Sequence, residues 1–572
     1  MPLPNLKPTL KAGSRPPWVG LAAAVWVEIS AGNAYNFPLY SSALKSVFGF
    51  SQQQITFLGV ANDVGESVGL LPGFVCNHFP PWSVLLVGVF ACFLGYGVIW
   101  LALTKTIHAL PYWALWIALA VASNSNAWFG TAVLVTNMKN FPLSRGTVSG
   151  ILKGYVGISA AVYTVLYSSV LEQSASKLLL FLTLGIPVIC LALMYFIRPC
   201  DPSGEDSSVH VHFLFTQAAS VLLAIYLLVL TVLYDTVDIS DAVSYVLLAI
   251  ALIFLLAPLG IPIKMTLFRA NSGTITPLAG STEHLAPEEG DLTQADPLLS
   301  PFSSASNLGS FFESEYASDV ETLLALGEGA VRKKRRPRRG EDFKFHEAFV
   351  KADFWLLWIV YFLGVGSGVT VLNNLAQIGL AFGVDDTTIL LSLFSFCNFV
   401  GRLGSGALSE HFARFSCRTR TIPRTLWMTC SLIVMALGFV LSALALSGTL
   451  YVSIALLGVC YGFLYSLTVP TASELFGLKH FGIIYNSILL GNPLGALLFS
   501  GLLAGYVYDA EATKQVSSTC LGPECFRLTF LVLAGLCSLG TILSIFLTIR
   551  IWPVYQMLYS SGSFYLPRPS GH

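Results

Sequence analysis

Five ionisable side chains lie inside stretches otherwise apolar enough to cross a bilayer: Glu28, Asp63, Glu66, Lys153 and Arg402. A charge at mid-bilayer costs about 2.5–3.5 kcal/mol on insertion scales, so those that persist face a partner or a wet cavity. Asp63 and Glu66 are three residues apart and share a helix face, as do Glu28 and Tyr35, seven apart. A carboxylate moved between dry and wet surroundings takes up a proton on one side and releases it on the other. The chemistry on offer is therefore proton carriage by Glu28, Asp63 or Glu66, or a structural ion pair of one of them with Lys153. Lys153 itself either attracts an organic anion or snorkels to the interface. A second set is neutral: Asn33 and Tyr35 in the first apolar run, Asn124 and Asn126 in the fourth, Asn373 and Asn374 in the ninth, Asn492 in the thirteenth. Buried amides need partners, so each is either a bond between helices or a contact with cargo, and the set is expected to line a cavity. No Cys/His spacing fits a metal site and no Gly-Lys-Ser/Thr loop is present, so neither a cofactor nor direct drive by ATP is expected.

Long apolar helices must position these groups. The 572 residues carry 31 Lys and Arg against 31 Asp and Glu; 11% are charged, 55% are hydrophobic, and the mean hydropathy is +0.71. Soluble domains carry roughly 25% charged residues. A soluble enzyme, a nucleic-acid binder and a secreted disulfide scaffold are excluded, and the surroundings are a lipid bilayer. About 20 apolar residues span its core. Such runs occur at 18–40, 54–76, 82–104, 111–137, 147–170 and 178–198, then at 212–234 and 243–264, then at 354–378, 387–408, 426–446, 450–472, 482–507 and 527–551. The pattern predicts an all-α integral membrane protein of about 14 spans. Residues 1–200 form a six-helix bundle, 201–264 two extra central helices, 353–551 a second six-helix bundle and 552–572 a tail. The two central helices, rich in Leu, Val and Ile, are expected to face lipid and line nothing.

Positive charge near span ends stays in the cytoplasm. With both termini there, only Lys45, Lys105, Lys177, Lys514 and Arg527 fall on the outer side. The first sixteen residues are polar and the run from Trp18 is long enough to span, so the first helix is expected to be retained. Residues 265–352 are rich in Ser, Pro, Gly and charge, a composition that reads as a disordered cytoplasmic loop. Within it, Asp319 with Leu323 and Leu324 fits an acidic dileucine pattern, a sorting address for cytosolic adaptors, and the basic run 332–339 either anchors the loop or attracts anionic lipid. Cys520 and Cys525 flank a tight outer turn, where an oxidising compartment lets them pair.

The halves echo each other. Asn62-Asp63-Val64-Gly65-Glu66 and Asn398-Phe399-Val400-Gly401-Arg402 share their Asn and Gly spacing, as expected of a carrier built from duplicated bundles. Gly65, Gly69 and Gly73, Gly150 and Gly154, and Gly491 and Gly495 repeat every four residues, which brings helix backbones close. Gly406-Ala407-Leu408-Ser409-Glu410-His411-Phe412-Ala413-Arg414 resembles the Gly-x-Leu-x-Asp/Glu-x-x-x-Arg loop of the major facilitator superfamily; its first-half equivalent, Gly73 to Pro81, lacks the acid and the base. Phe37-x-x-Tyr40-Ser41-x-x-Leu44-Lys45, Lys139-Asn140-Phe141-Pro142 with Arg145-Gly146, Gly150-Ile151-Leu152-Lys153-Gly154-Tyr155-Val156-Gly157 and the run 335–342 are similar to the plant nodulin-like branch of that superfamily, which is related to oxalate/formate-type antiporters.

The resemblance implies a major-facilitator-type fold of two six-helix bundles plus the two extra helices. It also implies a cytoplasmic gate of Arg402, Glu410 and Arg414, whereas Arg418, Arg420 and Arg424 read as topogenic only. The reading that follows is a non-enzymatic secondary carrier in the plasma membrane or a vacuolar or other endomembrane. It moves a small organic anion or zwitterion, with protons as coupling ion. The rivals are a membrane receptor or regulator with a carrier-like fold, and a scaffold acting through its loop.

Overall fold

The computed structural model describes residues 15–50, 52–107, 110–200, 207–237, 240–267, 342–384, 387–415, 422–446, 448–515 and 520–560. Among these every regular element is helical. The first half comprises α1 (Arg15–Ala31), α2 (Phe37–Phe48), α3 (Gln52–Ser67), α4 (Leu70–His78), α5 (Pro81–Leu103), α6 (Tyr112–Asn140), α7 (Arg145–Ser169), α8 (Ala175–Leu180) and α9 (Ile186–Leu193), the last two joined by a π-turn at Phe181–Gly185. Three helices follow: α10 (Ser207–Thr236), α11 (Asp241–Leu256) and α12 (Gly260–Leu267). The second half holds α13 (Phe345–Phe349), α14 (Ala352–Asn373), α15 (Leu375–Ala381), α16 (Thr387–Phe415), α17 (Arg424–Leu444), α18 (Thr449–Phe476), α19 (Phe481–Leu489), α20 (Gly491–Gly495), a π segment Ala496–Ala504, α21 (Gly505–Lys514) and α22 (Glu524–Ser560).

Twelve helices among the described residues are long and apolar enough to cross a membrane. The expected count of fourteen continuous spans is not reached, because the first two apolar runs are each interrupted. Gly32–Asn36 is a 3-10 turn between α1 and α2, and Val68 and Gly69 separate α3 from α4. Proline explains both. Its ring lacks an N–H and leaves the carbonyl four residues earlier without its helical donor. Pro38 thus denies the Ala34 carbonyl its α-helical donor; that carbonyl accepts instead from the Phe37 N–H and from Asn62 Nδ2 at 3.0 Å. Pro72 frees the Val68 carbonyl, which accepts from Asn124 Nδ2 at 2.8 Å. Pro470, inside α18, frees the Ser466 carbonyl, which accepts from Ser149 Oγ at 3.2 Å, from the opposite half. Inside a bilayer each freed carbonyl must find such a donor, and neighbouring helices supply it.

Several boundaries differ from the sequence expectation. Residues 342–352, placed in the disordered loop, carry α13, and Asp342 Oδ1 accepts from the Leu478 and Lys479 N–H groups at 2.9 and 3.1 Å. That docking uses the turn after α18, where Gly477 takes φ +76. The predicted tail starts inside α22, which continues to Ser560. The first extra helix does not simply face lipid: α10 packs on α7 and α16, Thr216 and Ser220 are buried, and Ser220 Oγ donates to Tyr155 Oη at 3.0 Å. The sorting pattern at Asp319, Leu323 and Leu324 and the basic run lie outside the described residues.

Candidate functional site

The two halves meet along a seam where α7 crosses α16 and α4 packs on α19. Both crossings are made by glycine. A Cβ on Gly406 would lie 2.4 Å from the Gly146 carbonyl oxygen and 2.9 Å from Gly150 Cα. One on Gly73 would lie 2.6 Å from the Gly482 carbonyl oxygen. Gly69 faces Asn486 of the other half, and Gly154 faces Phe399. Gly65, Gly491 and Gly495 pack within their own halves, against Ser123, Tyr361 and Gly366. Polar bonds accompany these contacts: Asn486 Nδ2 donates to Thr131 Oγ1 at 2.9 Å, and Arg145 Nη1 to the Ser473 carbonyl at 3.3 Å.

Midway along the seam lies a charged cluster. Glu28 is fully buried, with Lys153 Nζ 3.7 Å from its Oε1, and neither carboxylate oxygen has a hydrogen-bond partner among the described residues. Gly130 leaves open the space between this pair and Asn126: a Cβ there would come 3.3 Å from Lys153 Nζ, 3.7 Å from Glu28 Oε2 and 3.9 Å from Asn126 Oδ1. Glu66 lies within electrostatic reach of Tyr35, Asn126, Arg402 and Lys153. Arg402, 1% exposed, donates Nε–H to Asn398 Oδ1 at 2.9 Å and Nη1–H to the Lys153 carbonyl at 3.0 Å, with Tyr35 in electrostatic reach. Its guanidinium sits 4.4 Å from the Tyr465 ring centre and 6.0 Å from that of Tyr461, a stacking that adds to its hold when desolvated. Asp63 Oδ2 accepts from Asn373 Nδ2 across the seam at 3.4 Å, and Asn492 Nδ2 reaches Ser67 Oγ at 3.4 Å. Asp63, Glu66, Tyr35 and Tyr465 are only half-buried.

A second cluster closes one end of the seam. Arg424, at the start of α17, is 1% exposed and is held by Glu410 Oε2 at 2.9 Å, Glu474 Oε1 at 2.8 Å and Ser409 Oγ at 2.6 Å. Tyr555 donates to the other oxygen of Glu474. Glu410 Oε2 also accepts from the Gly146 N–H at 3.0 Å, which ties this cluster to the first half.

The structure does not gather the three residues read as a gate: Arg402 belongs to the middle cluster, eight positions before Glu410 on α16; Arg424, read as topogenic only, is the base bonded to Glu410; the Arg414 side chain lies outside the described residues. The amides divide as well. Asn33 is spent on packing, bonding Ser30, Ser125 and Tyr96. Asn124 serves the break after α3, and Asn374 bonds Thr370 and Ser500 within the second half. Asn126, Asn373 and Asn492 lie at the seam. Cys520 and Cys525 are joined by a disulfide, Cα atoms 6.0 Å apart.

Sequence reasoning missed Asn486 and the tyrosines Tyr361, Tyr461, Tyr465 and Tyr485. The internal repeat carried one unused signal. Glu66 and Arg402 occupy matching places in the echo of α3 and α16, and the folded chain brings this acid and base within electrostatic reach.

Residues 17–263 match the family model described as Nodulin-like, and residues 342–557 match that of the NFD4 C-terminal domain. Protein NUCLEAR FUSION DEFECTIVE 4 of Arabidopsis thaliana is 30% identical over 565 residues, 95% of this chain and 90% of that protein. "Probable transporter mch1" of Emericella nidulans is 24% identical over 233 residues, 35% of this chain and 37% of that one. Among solved structures, the major facilitator superfamily proton:xylose symporter XylE superposes with a TM-score of 0.52 at 10% identity, covering 96% of this chain and 98% of that chain. At that identity the likeness shows the shared fold alone.

Proposed function

The chain belongs to the plant nodulin-like branch of the major facilitator superfamily, an integral multi-pass membrane protein, and from that premise we propose that it is a secondary active transporter of a small solute. The observation that carries this reading is the middle cluster. Charged and phenolic groups from α1, α3, α7, α16 and α18, together with Tyr35 of the turn after α1, converge on the seam between the halves. Four of them, Asp63, Glu66, Tyr35 and Tyr465, keep part of their surface accessible. The cost of desolvating ionisable groups in a bilayer is offset where they handle cargo or a coupling ion. The curated name of the partial fungal relative, a probable transporter, points the same way.

In this reading the halves rock about the cluster. The end closed by Gly406, Gly73 and Arg424 parts in the other state, after Glu410 has let go of the Gly146 N–H. That end is cytoplasmic, as are both termini. The cargo is a small organic anion or zwitterion, and protons are the coupling ion: Glu28, within 3.7 Å of Lys153 and without a hydrogen-bond partner among the described residues, takes a proton when Lys153 turns to cargo.

Uptake by proteoliposomes holding the purified full chain tests the reading. Accumulation is expected to require an imposed pH gradient and to disappear in Glu28→Gln and in Asp63→Asn. Saturable binding without flux makes the protein a receptor. Activity in cells that survives loss of uptake, yet dies when residues 272–330 are removed, makes it a scaffold.

A further inference from the structure

The middle cluster is lopsided in a way that specifies its ligand. Its positive charges are already answered: Lys153 stands 3.7 Å from Glu28, and Arg402 lies within electrostatic reach of Glu66. Asp63 is left over. The charge it feels is the carboxylate of Glu66, three residues along the same helix, and the side chain bonded to it is the neutral amide of Asn373 at 3.4 Å. With every group ionised the cluster therefore carries an excess negative charge, on its half-exposed face.

The second-half wall has the opposite need. The hydroxyls of Tyr361 and Tyr485 are fully buried and have no hydrogen-bond partner among the described residues. Both lie within electrostatic reach of Arg402 and of Tyr465, and Tyr361 and Tyr485 lie within reach of each other. A buried hydroxyl without an acceptor is a costly arrangement that native proteins rarely keep. Two of them within electrostatic reach of a guanidinium make a donor-rich wall that oxygen acceptors would satisfy. Tyr461 sets the scale, since it feels Arg402, Glu66 and Asp63 together.

We infer that the site is built for a zwitterion of the amino-acid class, its carboxylate meeting Arg402 and the hydroxyls of Tyr361 and Tyr485, its ammonium meeting Asp63 and Glu66. A lone carboxylate would leave Asp63 without a counter-charge, and a lone amine would leave both tyrosine donors unmet. The inference rests on the carrier reading and narrows its cargo.

The test uses two matched sets of labelled probes with the full chain in proteoliposomes under an inward pH gradient. These are alanine, propionate and ethylamine, and leucine, 4-methylpentanoate and isopentylamine. At least one zwitterion is expected to enter at least tenfold faster than both of its singly charged analogues. Tyr361→Phe with Tyr485→Phe raises KM for that zwitterion at least tenfold while the maximal rate holds. Asp63→Asn abolishes zwitterion uptake and admits the matched carboxylate. Gel filtration and thermal melting of each variant show that the fold survives. Uptake of a carboxylate as fast as its zwitterion, or insensitivity of KM to the two tyrosines, overturns the assignment and leaves the carrier. If none of the six probes enters while a broader solute screen finds pH-driven uptake, the assignment again falls alone. If no solute enters at all, the carrier reading falls with it.

Discussion

The two charged clusters on the seam are made of the same side chains and finished differently. At the closed end, Arg424 engages two carboxylates and a hydroxyl at 2.6–2.9 Å, and Glu474 is bonded from its far side by Tyr555. In the middle, Lys153 and Glu28 stand at 3.7 Å, and two tyrosine hydroxyls and both Glu28 oxygens lack hydrogen-bond partners among the described residues. Complete satisfaction suits a fastening, because breaking one buried partner strands the others. Unmet donors and acceptors suit a site, because something arriving can meet them. The contrast shows that a charged group inside the bilayer is read through its bonds rather than its presence.

The sharpest break of the contrast is Arg424→Leu, which strands Glu410 and Glu474. The expected loss is about 3–5 kcal/mol, visible as aggregation in detergent, with much of the stability restored in R424L/E410Q/E474Q. In Glu28→Gln, Lys153 keeps Glu66 within reach, so the melting temperature is expected to fall less than in R424L while pH-driven uptake drops at least tenfold. Equal losses of stability would erase the distinction between the clusters.

Gly406→Ala presses a methyl group onto backbone atoms of Gly146 and Gly150 that cannot yield. It is expected to cost the closed seam about 1–3 kcal/mol, so that a cysteine at Ser149 labels faster. Gly65→Ala, whose new methyl would meet Ser123 and the Ala120 carbonyl inside the first half, lowers the melting temperature without that labelling change.

Tyr485→Phe removes an unpartnered hydroxyl and is expected to alter stability by less than about 1 kcal/mol, whereas Tyr96→Phe strands Asn33 Oδ1, which accepts from Tyr96 at 3.0 Å, and costs about 1–3 kcal/mol. Thermal melts of both separate a hydroxyl held for cargo from one spent on packing.

The smallest effect is that of pH at His480, between α18 and α19. Burial, with Lys479, Lys344 and His78 of α4 nearby, holds its imidazole below the ordinary value, against the pull of Asp342. The folded form therefore binds its proton less readily than the unfolded chain. The docked end is fully stable above the ordinary imidazole pKa and weakens as pH falls through it toward the lower folded value. Labelling of a cysteine at Ile483 is expected to accelerate between about pH 7.5 and about pH 5.5, by less than about tenfold. His480→Gln should flatten the change.

Much of this was legible in the chain. Apolar runs locate the helices because their lengths are set by the bilayer, and Pro38 and Pro72 mark where two of them break. Which donor answers each freed carbonyl was not legible, since Asn62 and Asn124 come from other helices and look like any buried amide. Arg424 was misread for the same reason. With Arg418 and Arg420 it has the composition of a loop that faces the cytoplasm, and only the fold carries it between Glu410 and Glu474. Arg402, by contrast, could be placed from sequence by taking its match with Glu66 literally.

The Ser149–Ser466 bond has a further consequence. The carbonyl of Ser466 was freed by Pro470, and its donor belongs to the other half. In the rocking motion proposed above, that donor swings away and the imino ring cannot replace it. The opposite-facing conformer of the proposed cycle then has to bring water or another helix's donor to the depth of Ser466.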